Sequence, residues 1–122
     1  MHIIHPSLKE FKTHIVDIEN NPDQWKYLGN KPCIIEFSAT WSTQSTEMAP
    51  ILEELAAEYN NQIYIYRVDI EQEEAVFKAF DVEIIPTLLF CPLKDAPQKA
   101  VGVFSKSTLK EGIEEILLCQ TT

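Results

Sequence analysis

The chain has few of the residues that would mark several common protein classes. It carries only three cysteines and three glycines in 122 residues, and no run of 18 apolar residues. The last absence excludes a membrane-spanning helix, so no membrane insertion is expected. Few glycines and a 45% hydrophobic content argue against a disordered or linker-like chain. Cys33, Cys91 and Cys119 are odd in number and stand 58 and 28 positions apart. That spacing fits neither a disulfide framework nor a zinc site, so no metal is expected and the thiols read as reduced, buried or terminal. Basic residues are also scarce: ten Lys and Arg face nineteen Asp and Glu, for a formal charge of −9. Dispersed cations on so acidic a chain exclude nucleic acid and anionic lipid as expected partners.

The length suits one domain with one core. The first residues, Met1-His2-Ile3-Ile4-His5-Pro6, lack the basic and apolar segments of an export signal. A cytoplasmic location is therefore expected, with a periplasmic or extracytoplasmic one as the alternative for a trimmed mature chain.

Ser7-Leu8-Lys9-Glu10 has the form of a capping box and predicts a short helix over Leu8 to Lys12. Thr13 to Ile18 reads as a first strand, and Asn20-Asn21-Pro22-Asp23 as a turn into a short helix over Gln24 to Leu28 that buries Trp25. Cys33 to Ser38 is a near-continuous apolar run, as in a strand covered on both faces, with Glu36 as the anomaly inside it. Met48, Ile51, Leu52, Leu55, Ala56 and Tyr59 recur at helical spacing and predict an amphipathic helix from Thr43 to about Tyr59, with Pro50 inside it as a kink. Gln62 to Asp69 reads as a buried strand and Glu73 to Phe80 as a helix. Thr87 to Cys91 and Ala100 to Phe104 read as an antiparallel hairpin. A last helix carries Leu109, Ile113, Ile116 and Leu117, while Phe77, Phe80 and Phe104 are expected in the core. A βαβ unit followed by a ββα unit predicts an α/β fold, a central mixed sheet of four to five strands flanked by helices.

Trp41-Ser42-Thr43-Gln44-Ser45 has the frame of a CxxC redox site with a hydroxyl where each sulfur would be. Two thiols so placed cycle between dithiol and disulfide; two alcohols do not. The plain structural role of Ser42 is to cap the following helix. A serine nucleophile is excluded on the sequence, because His2, His5 and His14 all lie in the N-terminal segment and an alcohol needs a positioned base beside it.

Together with Ala49-Pro50, Ile85-Pro86-Thr87 and Val101-Gly102 ahead of Ser105-Lys106, this site resembles thioredoxin, over roughly residues 30 to 118. The resemblance implies a thioredoxin fold in a single domain over 1–122, with 30–118 as its core and 1–29 as an N-terminal extension with short helices. It implies that Ser42 stands at the attacking and Ser45 at the resolving cysteine position. Pro86 would be the family's cis-proline and Glu36 its buried acid, a proton carrier paired with nearby Arg67. Trp41, Thr43, Gln44, Ile85, Pro86, Val101 and Gly102 would form the substrate-binding surface. Four features depart from the family pattern: Thr43-Gln44 for Gly-Pro, Ser38 for an aromatic, Glu36 for Asp, and the loss of both sulfurs.

The resemblance implies no cofactor. Its partners would be protein disulfides and a thioredoxin-reductase-like or membrane electron donor, and the chain is expected to be a monomer. Sulfur is missing while the tryptophan, the proline, the acid and the groove remain. That selective pattern reads as a thiol–disulfide oxidoreductase whose two active cysteines are replaced by serine, redox-inactive as written. The alternative is a natural redox-inert module that binds peptides or proteins in the same groove. Substitute chemistry at Cys33 or Cys91 would need an exposed, acidic thiol, and their place in or beside buried strands argues against it.

Overall fold

The computed structural model describes residues 3–16, 27–39, 41–71, 74, 78, 82 and 84–118. Strand β1 (Ile3–Ile4) and helix α1 (Leu8–His14) open the chain, followed by β2 (Cys33–Ser38), α2 (Thr43–Glu58) and β3 (Tyr64–Asp69). Strands β4 (Thr87–Cys91) and β5 (Gln98–Val101) precede helix α3 (Lys106–Gly112), which continues as a π-helical segment over Ile113–Leu118. One five-stranded sheet has the order β1-β3-β2-β4-β5. Its first three strands are mutually parallel, and β4 runs antiparallel to both β2 and β5. This is the mixed α/β sheet that the strand and helix order predicts.

β2 lies at the centre and every one of its residues is buried. The two-residue repeat of a strand sends alternate side chains to opposite faces. Ile34 joins Ile65, Leu88 and Phe90 against Met48, Leu52 and Leu55 of α2 and Leu109, Ile113 and Leu117 of the last helix. Cys33, Ile35 and Phe37 join Tyr66, Val68, Leu89 and Cys91 against Phe11, Ile15 and Val16. Phe104 is partly buried and packs on the α2 face as expected. Phe77, Phe80, Trp25 and Cys119 lie outside the described residues.

α1 starts where the capping box predicts. The Ser7 hydroxyl accepts from the Glu10 N–H at 3.2 Å, and the Glu10 carboxylate accepts from the Ser7 N–H at 2.9 Å. The helix runs on past Lys12, so the strand expected over Thr13–Ile18 is not formed at its start. Thr13 and His14 are helical, and the Ile15 N–H bonds the Phe11 carbonyl at 2.9 Å. Ile15 and Val16 are buried at the helix end rather than along a strand, which is why a short apolar run misleads. Residues 17 and 18 lie outside the described residues. Of the helix expected over Gln24 to Leu28, only Tyr27 and Leu28 are described, and they are non-helical. Of the helix expected over Glu73 to Phe80, Glu74 and Lys78 are described; both are helical and pair at 2.8 Å.

The second strand of the hairpin sits earlier than expected, ending at Val101 rather than Phe104. Gly102 follows with φ of +109°, a conformation that side-chain-bearing residues rarely adopt, and its N–H bonds the Pro86 carbonyl at 2.9 Å. Ser105 then caps α3, its hydroxyl accepting from the Thr108 N–H. α2 keeps Pro50 within its 16 residues.

Candidate functional site

The site forms where β2 ends and α2 begins. A buried strand leaves the sheet at Ser38, and the chain must satisfy the free N–H groups at the start of the next helix. Ser42 does this: it is extended, with φ −91° and ψ 119°, and its Oγ accepts from the Ser45 N–H at 3.2 Å. Its carbonyl accepts from the Thr46 N–H at 3.1 Å and from the Thr46 hydroxyl at 3.2 Å. Ser45 points the other way, accepting at its Oγ from the Ala39 N–H at 3.4 Å. Both serines are buried while Trp41 is 67% exposed, so an apolar ring stands in solvent directly before two covered hydroxyls. Thr43 and Gln44 between them are exposed.

β4 begins beside the end of β2, with Thr87 opposite Phe37 in the antiparallel ladder. The Ile85–Pro86 peptide is cis. Pro86 is buried, Ile85 is half-buried, and the Thr87 hydroxyl donates to the Ile84 carbonyl. Thr87 pairs with Val101 on β5, so the Ile85-Pro86 and Val101-Gly102 segments are adjacent by ladder register and by the Gly102–Pro86 bond. The α2 N-terminus and these two segments therefore issue from one end of the sheet. Two exposed apolar residues at this end, Ile84 and Val103, were missed from the sequence. Their signal is weak, being one apolar residue beside a motif already singled out.

Behind the serines lies Glu36, fully buried and opposite Arg67 in the β2–β3 register. Arg67 Nε stands 2.7 Å from Glu36 Oε1. The contact is short but off the hydrogen-bonding direction, and both carboxylate oxygens and Nε make no hydrogen bond among the described residues. Burial pushes the Glu36 carboxyl up to about 7, against the pull of Arg67. The same guanidinium also donates to the Ser45 carbonyl. A cleft of about 320 Å³ lined by Ser38, Ala39, Thr46, Ala49 and Arg67 reaches this arginine from the flank.

The arrangement can hold two short polar side chains at a helix start and keep a titratable acid behind them. A thiolate at position 42 would take the place of the Ser42 oxygen as acceptor of the Ser45 N–H, at the positive end of α2. Cys33 and Cys91 are free and buried at the opposite end of β2 and β4, and burial raises the Cys91 thiol well above its ordinary value. Neither thiol is exposed. Among the described residues no cluster of His, Cys, Asp and Glu could hold a metal ion, and no helix is long and apolar enough to cross a membrane.

Comparison with known proteins extends the resemblance toward the N-terminus. The thioredoxin family model matches residues 5–115, well before the 30 at which the motifs begin to resemble it. The chain is 31% identical to a thioredoxin of Borreliella burgdorferi over 107 residues, 88% of this chain and 91% of that one. It is 34% identical to a thioredoxin of Staphylococcus saprophyticus over 84 residues, 69% of this chain and 81% of that one. It also shares 30% identity over 88 residues, 72% of this chain, with a bifunctional thioredoxin reductase/thioredoxin of Mycobacterium leprae, of which the match covers 19%. Sheet order, the Trp-led helix start and these matches lead to one conclusion: the chain belongs to the thioredoxin family of thiol–disulfide oxidoreductases.

Proposed function

We propose that this protein holds an extended polypeptide segment across Trp41, Thr43, Gln44, Ile85, Pro86, Val101 and Gly102, and that Ser42 and Ser45 make it redox-silent as written. With cysteine at both positions the same framework would exchange thiols for disulfides. The observation that carries this reading is the hydrogen bond from the Ser45 N–H to Ser42 Oγ, with the Ser45 Oγ turned inward to Ala39. The two side chains meet the geometric demands of the helix start with oxygen where exchange needs sulfur.

In the cysteine form, the thiolate at position 42 attacks one sulfur of a substrate disulfide and expels the other as a thiolate. The thiol at position 45 then loses its proton and attacks the mixed disulfide, releasing the reduced substrate and leaving a disulfide between 42 and 45. Glu36, titrating near neutrality, carries that proton. A thioredoxin-reductase-like donor, the activity joined to a thioredoxin in the Mycobacterium leprae relative, would return the two electrons. In the serine form only the first part survives: apolar contact and backbone hydrogen bonds to a bound segment.

We read residues 1–122 as one domain; the pairing of β1 with β3 and the burial of Phe11 support including the N-terminal residues in it. We place it in the cytoplasm as a monomer, a reading consistent with its free Cys33 and Cys91. The test compares this protein with the Ser42→Cys/Ser45→Cys double variant in reducing a disulfide-bonded protein. Activity only in the double variant is expected; no activity in either overturns the oxidoreductase framework. Retention of a disulfide-free extended peptide by the serine form, lost on Trp41→Ala, tests the binding half separately.

A further inference from the structure

Cys33 and Cys91 have no part in the site described above, yet their placement is specific. They are directly opposite one another in the antiparallel β2–β4 ladder. Directly paired residues on antiparallel strands have Cα atoms about 4.5 or 5.5 Å apart, according to pair type. Both values fall in the Cα separation of about 4.4–6.8 Å that a disulfide spans without backbone movement. Both side chains belong to the α1-facing core cluster, so they project to the same face of the sheet. The neighbouring Cys33 adds to the raising of the Cys91 thiol, which also contacts the Leu89 carbonyl at 3.8 Å.

The pair stands where the ladder stops. Cys33 is the first residue of β2 and follows Pro32; Cys91 is the last of β4 and precedes Pro92. Five steps along β2 separate Cys33 from Ser38, about 16 Å at the rise of a strand, so the pair lies at the pole opposite positions 42 and 45. Tyr66, in the same cluster as the two cysteines, also lines an open cleft of about 460 Å³ with Tyr64, Leu28 and Gly29. Neither cysteine lines that cleft and both are fully buried, so a small neutral oxidant entering there must still pass the packing around Tyr66 to reach them.

We propose that Cys33 and Cys91 are a second dithiol–disulfide site, oxidised by a hydroperoxide to a cross-strand disulfide that fastens β2 to β4. One sulfur, giving up its proton, attacks the peroxide O–O bond and becomes a sulfenic acid, releasing water. The second sulfur, losing its proton, displaces the sulfenic hydroxyl as water and closes the S–S bond. Two thiols and one hydrogen peroxide give one disulfide and two waters; a dithiol reductant reverses the change. Burial raises the Cys91 thiol and covers both sulfurs, so the bond forms slowly and, once formed, is shielded from exchange. The site does not depend on the reading of positions 42 and 45, which hold no sulfur.

The test uses the full chain carrying Cys119→Ser, so that only the pair remains. The folded protein is treated with hydrogen peroxide, unfolded in an alkylating agent, and analysed for free thiols and by peptide mass mapping. The expected result is that both thiols disappear together, the mass falls by two hydrogens, and the peptides containing residues 33 and 91 are joined. A dithiol reductant should restore both thiols. In Cys33→Ala and Cys91→Ala variants the same treatment should give no intramolecular link, the remaining sulfur ending as a thiol or as a sulfenic acid that a dithiol reductant restores. Recovery of both thiols after prolonged oxidation, sulfinic acid at either position, or a disulfide between two chains overturns the proposal, and each is read on the pair itself whether or not the single variants fold.

Discussion

Arg67 sets its guanidinium Nε 2.7 Å from the Glu36 carboxylate and donates from Nη2 to the backbone carbonyl of Ser45. One side chain thus ties a buried acid to the helix turn that carries both candidate redox positions.

The acid should make stability depend on pH. The Glu36 carboxyl rises from 4.5 to about 7 on folding, so across that window the folded protein holds a proton that the unfolded chain has lost. Stability from this group is therefore full below pH 4.5 and declines as pH rises to about 7. Comparing this protein with Glu36→Gln in urea unfolding, the difference in unfolding free energy should change by about 3 kcal/mol across the window. A difference that stays constant with pH would refute the raised acid.

Removing the cation should expose the same acid. Arg67→Leu leaves Glu36 buried without its partner, a loss of about 3–5 kcal/mol where the carboxylate is charged. The loss should be clearly smaller at pH 5, where Glu36 already holds a proton. Unfolding curves at pH 5 and pH 8 decide it.

Ser42→Ala removes the N-cap of α2 and should cost about 1 kcal/mol in the same assay. Ser42→Asp, which keeps an acceptor for the Ser45 N–H, should retain most of the stability. Equal losses for the two would mean that the hydroxyl does not cap the helix.

Gly102 has a φ of +109° with open space where a Cβ would stand. Gly102→Ala should therefore destabilise through the backbone alone, by about 1 kcal/mol or more. A stabilised variant would show that the turn tolerates a side chain.

Trp41 is exposed, so Trp41→Ala should leave the melting temperature within a degree or two while weakening peptide retention. Fluorescence titration and thermal unfolding separate the two effects; unchanged retention would remove Trp41 from the binding surface.

The sequence disclosed most where burial is two-sided. β2 and β4 were legible to the residue because Cys33–Ser38 and Thr87–Cys91 are apolar runs bounded by Pro32, Pro86 and Pro92. β1 was invisible: two residues carry no period, and Ile3 and Ile4 become a strand only because β3 offers a parallel edge. Thr13–Ile18 failed for a related reason, since Ile15 and Val16 are equally apolar whether a helix end or a strand buries them. In the site, the residues at positions 41–45 and 85–87 declared themselves by their motifs. The Arg67 bond to Ser45 did not, because it joins backbone to side chain 22 positions away, and nothing in residue type marks it.

The Glu36–Arg67 rung also guards strand alignment. In the observed pairing the two share a face of the sheet, opposite one another on β2 and β3. Sliding β2 by one residue would turn Glu36 toward Phe11 and Val68, among apolar side chains and away from its cation. Apolar neighbours such as Ile34 and Ile35 would tolerate that slip, each being as apolar as the other. A misaligned sheet is thus penalised by the one charge it would strand, and the acid that puzzles in an apolar run serves as the strand's alignment mark.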